Sequence, residues 1–277
     1  MILVSIKGGL GNQIFQWAFG ESLSSNHDVY YQNSCDLHNP RGDRFFDLNN
    51  ILIRNVNLAN NETFSKFQRE GFEVIQDDHH YKDFNLDLNK NYLFDGYWQC
   101  EGYFSDSKDQ ILNSFKLPNT GDFDFKDSCS IHVRRGDYLN LQHLHHVLPI
   151  SYYEKALSII NPSGNIYVFS DDIAWCRDNF SFNKMIFMEG NDCIQDLSYM
   201  SSCTHNIIAN STFSWWGAYL NRNKNKKVVA PNKWFNDNTN SADYNLDTWI
   251  NIDSKDYIIN PNSLAPNQFD RNRPLTL

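Results

Sequence analysis

The 277-residue chain is predicted to be an α/β protein with two domains and mostly parallel sheets. Short apolar runs alternate with helix-like segments throughout the second half, which is the pattern of parallel strands joined by crossover helices. The first residues show the same alternation, because a buried strand, a glycine loop and a helix follow one another. Between the halves, residues 116–122 have the proline, glycine and polar residues of a linker. The sequence therefore predicts domains at 1–122 and 123–277.

Composition excludes several classes of protein. The formal charge of −9 and the pI near 5.4 argue against a general nucleic-acid surface, so positive charge for a phosphate must be local. No basic region precedes an apolar core and no 18 apolar residues run together, so neither a signal peptide nor a membrane span is expected. The six cysteines include no Cys-x-x-Cys pair, which favours reduced thiols in a cytoplasm over disulfides or a zinc site.

In the first half the strands are short and apolar, and the helices show apolar residues at helical spacing. The expected elements are strands at 2–6, 28–32 and 92–98 and helices at 14–25, 62–70 and 101–115. The glycine loop at 7–13 lies between a strand and a helix, where backbone N–H groups can face an anion. It is not a dinucleotide fingerprint, because Ile14 replaces the third glycine, and a plain tight turn explains it equally well.

In the second half the alternation is regular. The expected strands are 129–133, 165–169, 184–188, 205–209 and 226–230, and the expected helices are 151–160, 173–179, 192–202 and 210–220. The tail after residue 261 is too polar for any prediction.

Polar residues follow three of these strands. They are His132 with Arg134, then Ser170-Asp171-Asp172, then Asn210-Ser211-Thr212. Because the carboxyl ends of parallel strands meet at one edge of the sheet, the three groups should converge there. An arginine fork suits phosphate oxygens, and hydroxyls at a helix start can form an anion cradle. The alternatives are a surface Arg–Asp loop and a simple helix cap.

Other roles stay open at this point. Asp171-Asp172 could bind a divalent cation, hold ribose hydroxyls or cap the helix at Ile173. Asp137 could accept a proton or support Arg135. If the strand geometry persists, Arg135 should leave the strand on the face opposite to Arg134.

Five motifs then narrow the function. They are Gly8-Gly-Leu-Gly-Asn-Gln13, Tyr97-Trp-Gln99, His132-Val-Arg-Arg-Gly-Asp137, Phe169-Ser-Asp-Asp172 and Asn210-Ser-Thr-Phe-Ser-Trp-Trp216. In this order they resemble the α-1,2-fucosyltransferases of glycosyltransferase family 11, over the span from Gly8 to about Leu220.

The resemblance implies a GT-B fold, in which two Rossmann-like domains have parallel sheets facing across a cleft. Domain 1–122 would be the acceptor side and domain 123–277 would bind GDP-β-L-fucose. The implied reaction moves L-fucose to the 2-hydroxyl of a terminal galactose with inversion, in O-antigen synthesis, without a cofactor or metal. The implied location is the cytoplasm, and a lipid-linked glycan acceptor and peripheral attachment to the inner membrane are compatible with it.

The resemblance also implies site residues. The catalytic candidates are His132, Arg134 and Asp137, and the donor-binding candidates are Gly11, Asn12, Gln13, Asp171, His205, Asn210, Ser211, Thr212 and Ser214. Arg134 matches the diphosphate-binding arginine, and His205 falls where a related family contacts guanine. Two other readings remain, a GT-B transferase for another nucleotide sugar and a non-catalytic carbohydrate-binding protein. The second leaves the paired arginines unexplained.

Overall fold

The computed structural model describes residues 1–35, 45–236, 239 and 243–254. The chain divides into two compact units, Met1–Leu117 with Asn240–Leu246, and Pro118–Thr239 with Asp247–Leu277. The sequence pattern sets the boundary after residue 122, and it contains no signal for the return of 240–246 to the first unit. The tail after residue 261, for which no prediction was possible, lies outside the described residues.

The first unit contains a four-stranded parallel sheet with the strand order β2-β1-β4-β3. Its strands are β1 (Ile2–Ile6), β2 (Val29–Asn33), β3 (Glu73–Gln76) and β4 (Tyr92–Asp95), and its helices are α1 (Leu10–Leu23), α2 (Leu48–Ile51), α3 (Asn61–Glu70) and α4 (Lys108–Asn113). Strand β1 is buried along its whole length. Helix α1 packs on the sheet through aromatic side chains, and the ring of Phe19 stacks on Trp98 with centroids 4.6 Å apart.

The structure departs from the sequence prediction around residues 92–115. Strand β4 ends at Asp95 because the Asp77 carboxylate accepts hydrogen bonds from the backbone N–H groups of Tyr97 and Trp98, at 3.2 and 3.0 Å. The helix predicted at 101–115 is instead a 3₁₀ helix, Glu101–Ser107, followed by α4. The break occurs at Phe104, whose backbone leaves the helical region while its buried ring packs near Phe15.

The second unit contains a six-stranded parallel sheet with the order β10-β9-β8-β5-β6-β7. Its strands are β5 (Cys129–Val133), β6 (Ile166–Ser170), β7 (Met185–Phe187), β8 (His205–Ile207), β9 (Val228–Pro231) and β10 (Ile250–Ile252), and its helices are α5 (Ile150–Ile160), α6 (Ile173–Asn179), α7 (Cys193–Ser202) and α8 (Thr212–Leu220). The predicted bounds of β5 and α6 are confirmed. Strand β10 was not predicted, and its partly exposed residues explain why no apolar run marks it.

The two faces of β5 contact different sets of residues. Cys129, Ile131 and Val133 belong to the core cluster that also contains buried residues of α5 and α6. On the other face, Ser130 accepts a hydrogen bond from Asn206 at 2.8 Å, and the His132 ring lies near α8. Because side chains alternate along a strand, this arrangement sets the directions of the two arginines that follow β5.

Candidate active site

The carboxyl ends of the strands that precede the three polar segments lie side by side. Strand β5 pairs with β6 on one side and with β8 on the other, and Val133 is in register with Ser170. The segments that follow these strands therefore leave the sheet at a single edge, as the sequence predicted. We call the segment 134–138 the arginine loop.

Arg134 is held by two carboxylates. Its Nη2 lies 2.7 Å from Asp137 Oδ1, and its Nη1 lies 3.1 Å from Asp171 Oδ2. The guanidinium also lies over the ring of Tyr138, with Cζ 5.4 Å from the ring centroid. The side chain keeps 27% of its surface exposed, whereas that of Asp137 keeps only 9%. The fork is thus fixed in place and still open to a ligand.

Gly136 makes room for one of these carboxylates. A Cβ atom on Gly136 would lie 2.6 Å from Asp171 Oδ2, closer than real Cβ contacts allow. The same Asp171 carboxylate accepts a hydrogen bond from the backbone N–H of Arg135, at 2.9 Å. Asp171 is therefore part of the support for the arginine loop, and a side chain at position 136 would displace it.

Arg135 takes the opposite direction, as the strand alternation predicts. Its guanidinium stacks on the Trp175 ring, with Cζ 3.7 Å from the centroid, and its Nε lies 3.2 Å from Asp172 Oδ2. Trp175 packs against the core cluster that contains Val133. Asp172 also accepts a hydrogen bond from the Trp175 backbone N–H, at 3.3 Å, as the N-cap of α6. The cap interpretation of Asp172 is therefore confirmed.

The observed partner of Asp137 is Arg134, whereas Arg135 was the partner in one of the two roles predicted for it. The sequence left open whether Asp137 supports Arg135, but its carboxylate pairs with Arg134. The reason is geometric, since Arg135 lies on the other face with Asp172.

The charges at this edge have a direct consequence for anion binding. The two guanidinium groups of Arg134 and Arg135 face three carboxylates, those of Asp137, Asp171 and Asp172, so this cluster carries a net charge of −1. An anion that approaches Arg134 therefore meets the negative charges of Asp137 and Asp171 as well as the positive guanidinium.

His132, two residues before Arg134 in the chain, is buried. Its ring lies 5.7 Å from that of Phe213, and its buried Nδ1 has no hydrogen-bond partner among the described residues. Burial, together with the positive charge of Arg134, lowers the pKa of His132 to about 3. The imidazole is therefore neutral near pH 7, so His132 does not add a positive charge to the site.

The start of α8 lies at the same edge. Ser211 occupies the N-cap position, but its hydroxyl makes no cap hydrogen bond to the first turn. Asn210 is fixed by its amide, which donates to the carbonyl oxygens of His146 and Trp234, at 2.8 and 2.7 Å. The N–H groups of a first helical turn have no intrahelical acceptor, so they and the Ser211 hydroxyl are suited to an anion.

The other two predicted residues of this helix start have different positions. Thr212 is the first residue of α8 and is partly exposed. Ser214 is only 1% exposed, and its hydroxyl donates to the backbone oxygen of Ser211, at 3.1 Å. Ser214 thus stabilises the turn from inside, and only its backbone N–H is suited to face an anion.

His205 is not brought to the arginine loop. It begins β8 and is in register with Cys129, the first residue of β5, so it lies at the amino edge of the sheet. A strand of this length separates the two edges by about 10 Å. Its Nδ1 accepts a hydrogen bond from the Lys227 backbone N–H at 3.0 Å, and its Nε2 lies 3.5 Å from Asp127. Burial is the main cause that lowers its pKa. This position gives no support to guanine recognition by His205.

The predicted donor loop of the first unit has an open helix start. Gly8 adopts a φ of +83°, a left-handed conformation that suits glycine, and Gly9 caps α1 without a side chain. Gly11 and Asn12 lie in the first turn, and Asn12 Oδ1 accepts a hydrogen bond from Gln99 at 2.8 Å. This helix start therefore has no side-chain cap, which leaves its first N–H groups suited to an anion.

Gln13 has a structural position in this loop. It is fully buried, and its amide nitrogen donates to the carbonyl oxygens of Gly8 and Phe45, at 2.9 and 2.7 Å. Its side-chain oxygen accepts a hydrogen bond from the Asp47 backbone N–H at 3.1 Å. Gln13 therefore holds the glycine loop in shape.

Tyr138 follows the Arg-Arg-Gly-Asp motif directly, yet no role for it was predicted from the sequence. Helical spacing could not have found it, because Arg134 lies before the 3₁₀ helix Asp137–Asn140 that contains Tyr138.

Within the described ranges, no three His, Cys, Asp or Glu side chains are arranged to hold a metal ion. None of the helices in that same part of the chain has both the length and the apolar character that crossing a bilayer requires.

Two Rossmann-like units with parallel sheets are the architecture of GT-B glycosyltransferases. The family model for glycosyl transferase family 11 matches residues 48–253, and this chain belongs to that family. The O-antigen biosynthesis glycosyltransferase WbnK of Escherichia coli is 32% identical, and the alignment covers 89% of this chain and 99% of that protein.

Two further relatives differ in their named activities. The alpha-1,2-colitosyltransferase of Escherichia coli is 30% identical, with 91% of this chain and 99% of that protein covered. The galactoside alpha-(1,2)-fucosyltransferase 1 of Sus scrofa is 31% identical, with 40% of this chain and 33% of that protein covered. The family and the glycosyltransferase class are therefore shown, whereas the names of the relatives differ in the sugar that is transferred.

Proposed function

We propose that this glycosyltransferase moves L-fucose from GDP-β-L-fucose to the 2-hydroxyl of a terminal galactose, with inversion, in the synthesis of a bacterial O-antigen. The observation that carries the proposal is that Arg134 and the start of α8, which has no side-chain cap, follow neighbouring strands at the same sheet edge. The five motifs shared with α-1,2-fucosyltransferases and the names of the relatives support the sugar, the linkage and the pathway.

The proposed chemistry follows from the charges that develop in the reaction. The acceptor hydroxyl attacks the anomeric carbon while the bond from that carbon to the diphosphate oxygen breaks, through an oxocarbenium-like transition state. The departing GDP gains negative charge, which the Arg134 guanidinium and the N–H groups at the start of α8 stabilise more in the transition state than in the ground state. The acceptor proton passes to a base.

Asp137 is our candidate for that base, and its pairing with Arg134 connects the two roles. Asp137 Oδ1 lies 2.7 Å from Arg134 Nη2, so a diphosphate that took its place at Arg134 would leave this carboxylate free to accept a proton. The variant Asp137→Asn distinguishes a catalytic base from a residue that only supports Arg134. If Asp137 is the base, turnover should fall by at least about 100-fold while GDP affinity is retained or improved. If Asp137 only supports Arg134, GDP affinity and turnover fall together.

The assay that tests the proposal supplies GDP-fucose with galactose-terminated acceptors and follows transfer to the 2-hydroxyl. Wild-type enzyme should transfer fucose equally well in excess EDTA, because guanidinium and N–H groups neutralise the leaving group without a metal. Loss of activity in EDTA that manganese restores would instead assign a cation to the donor site. A failure to transfer fucose to any galactoside would refute the proposed acceptor or donor.

Colitose is the second candidate for the transferred sugar. The reason is that the alpha-1,2-colitosyltransferase aligns with 91% of this chain at 30% identity. Direct competition between GDP-fucose and GDP-colitose in one reaction decides between them, since the ratio of products reports the ratio of kcat/KM values. We expect the fucosylated product to dominate.

A further inference from the structure

Tyr138 contacts Arg134 and a second ring at the same time. It lies in the short 3₁₀ helix Asp137–Asn140, and the Arg134 guanidinium lies over its ring at 5.4 Å from the centroid. The imidazole of His145 is stacked on the same ring, with centroids 4.1 Å apart and planes 5° from parallel. A cation over an aromatic face is attracted by the ring quadrupole, so the tyrosine limits where the guanidinium can lie.

The hydroxyl of Tyr138 contacts the other half of the site. It donates a hydrogen bond to the backbone oxygen of Asn210, at 3.0 Å. Asn210 is the residue before Ser211, the N-cap of α8, and its own side chain is anchored by two hydrogen bonds. Tyr138 thus connects the arginine loop with the start of α8, across 72 positions of sequence.

We infer that Tyr138 is a positioning residue that sets the distance between the Arg134 fork and the start of α8. This inference rests on the proposed function, because both groups are assigned to the GDP diphosphate. A diphosphate that bridges a guanidinium and a helix start needs both at a fixed separation, and errors of about 1 Å in such positions cost about 100-fold in rate. The ring controls the guanidinium, and the hydroxyl controls the helix start.

The test compares Tyr138→Phe, which keeps the ring, with Tyr138→Leu, which removes it. The matched control is Tyr167→Phe in the same unit, because the Tyr167 hydroxyl also donates to one backbone oxygen, that of Asp124, at 2.7 Å. We expect kcat with GDP-fucose to fall by about threefold to tenfold for Tyr138→Phe and by about tenfold to hundredfold for Tyr138→Leu. The KM for the acceptor and the kcat of Tyr167→Phe should stay near wild type.

A second readout does not depend on catalysis. The side-chain Nε–Hε NMR signal of Arg134, identified by its loss in Arg134→Lys, experiences the ring current of Tyr138. It should move in Tyr138→Leu and stay in place in Tyr167→Phe. A wild-type enzyme that neither binds GDP nor transfers fucose would refute the proposed function, while the NMR signal would still decide whether Tyr138 positions Arg134.

Two results would overturn the inference. One is an Arg134 signal that is unchanged in Tyr138→Leu. The other is a kcat for both Tyr138 variants equal to that of Tyr167→Phe, with wild-type transfer intact.

Discussion

Replacing Arg134 by lysine should slow transfer by about 100- to 1000-fold while the fold is retained, the loss expected when one transition-state donor is removed. Lysine keeps the charge but has no planar fork, so it cannot contact Asp137 and Asp171 through two separate nitrogens as Nη2 and Nη1 do, at 2.7 and 3.1 Å. The side chain is 27% exposed, so its ion pairs contribute modestly to stability. The loss should therefore fall on kcat and leave the melting temperature nearly unchanged.

Arg135→Lys is the matched control for this experiment. Arg135 stacks on Trp175 at 3.7 Å and pairs with Asp172, on the face opposite to the site. Lysine would weaken the stacking and lower the free energy of unfolding by about 0.5–2 kcal/mol, with most of the activity retained. Steady-state kinetics and circular dichroism melts of both variants are needed. Normal turnover of Arg134→Lys with an intact fold, or an inactive Arg135→Lys that melts like wild type, would refute the placement of the diphosphate at Arg134.

Three further predictions follow from the same edge of the sheet. Gly136→Ala should lower both activity and stability, the latter by about 1–3 kcal/mol, because its Cβ would displace the Asp171 carboxylate; an equal melting temperature in a calorimetric scan would contradict this. The pKa of His132 is lowered from 6.5 to about 3 in the folded protein, so between these pH values the unfolded chain binds more protons than the folded one. Stability should therefore fall as the pH drops below 6.5. In urea titrations, His132→Gln should lose less stability than wild type between pH 7 and pH 5. The double variant of Ser211 and Thr212 to alanine should bind GDP about 5- to 100-fold more weakly in calorimetric titrations while it stays folded, and unchanged affinity would reduce this segment to a plain helix start.

The sequence predicted the second unit better than the first, for a physical reason. Buried parallel strands are continuous apolar runs, and β5 was predicted with its observed bounds because all five of its residues are buried. Strands β3 and β10 have mostly exposed residues, so no apolar pattern marks them. Local pattern therefore gives the bounds of a strand most accurately where the sheet buries it, and the partly exposed β7 was predicted one residue too long at each end.

Long-range contacts determine what the sequence could not predict. Tyr244 is 3% exposed, and its hydroxyl lies 3.0 Å from Nδ1 of His79, which places the segment around it in the first unit. Nothing local to Tyr244 indicates this partner. The donor-site role of His205 came from the family resemblance alone, and as the first residue of β8 it lies at the opposite, amino edge of the sheet.

The residues of the candidate site also differ in how far the sequence could predict their positions. Strand order brings Arg134, Asp171 and Ser211 to one edge, and a sequence with alternating strands and helices is enough to predict that convergence. The pairing of Asp137 with Arg134 depends on side-chain direction after the strand has ended, so the sequence did not show which arginine Asp137 contacts.

We propose that the carboxyl edge of the second sheet binds the diphosphate of a guanine nucleotide through Arg134 and the start of α8. The most direct measurement is the thermal shift of wild type and Arg134→Lys with GDP, guanosine and UDP. A ligand at 100 times its Kd stabilises by about 2.7 kcal/mol, which corresponds to a rise of about 5–10 °C for a protein of this size. We predict such a rise for wild type with GDP, a much smaller one with guanosine or UDP, and a loss of most of the GDP effect in Arg134→Lys. An equal GDP shift in wild type and Arg134→Lys, or a shift with UDP as large as with GDP, would contradict the claim.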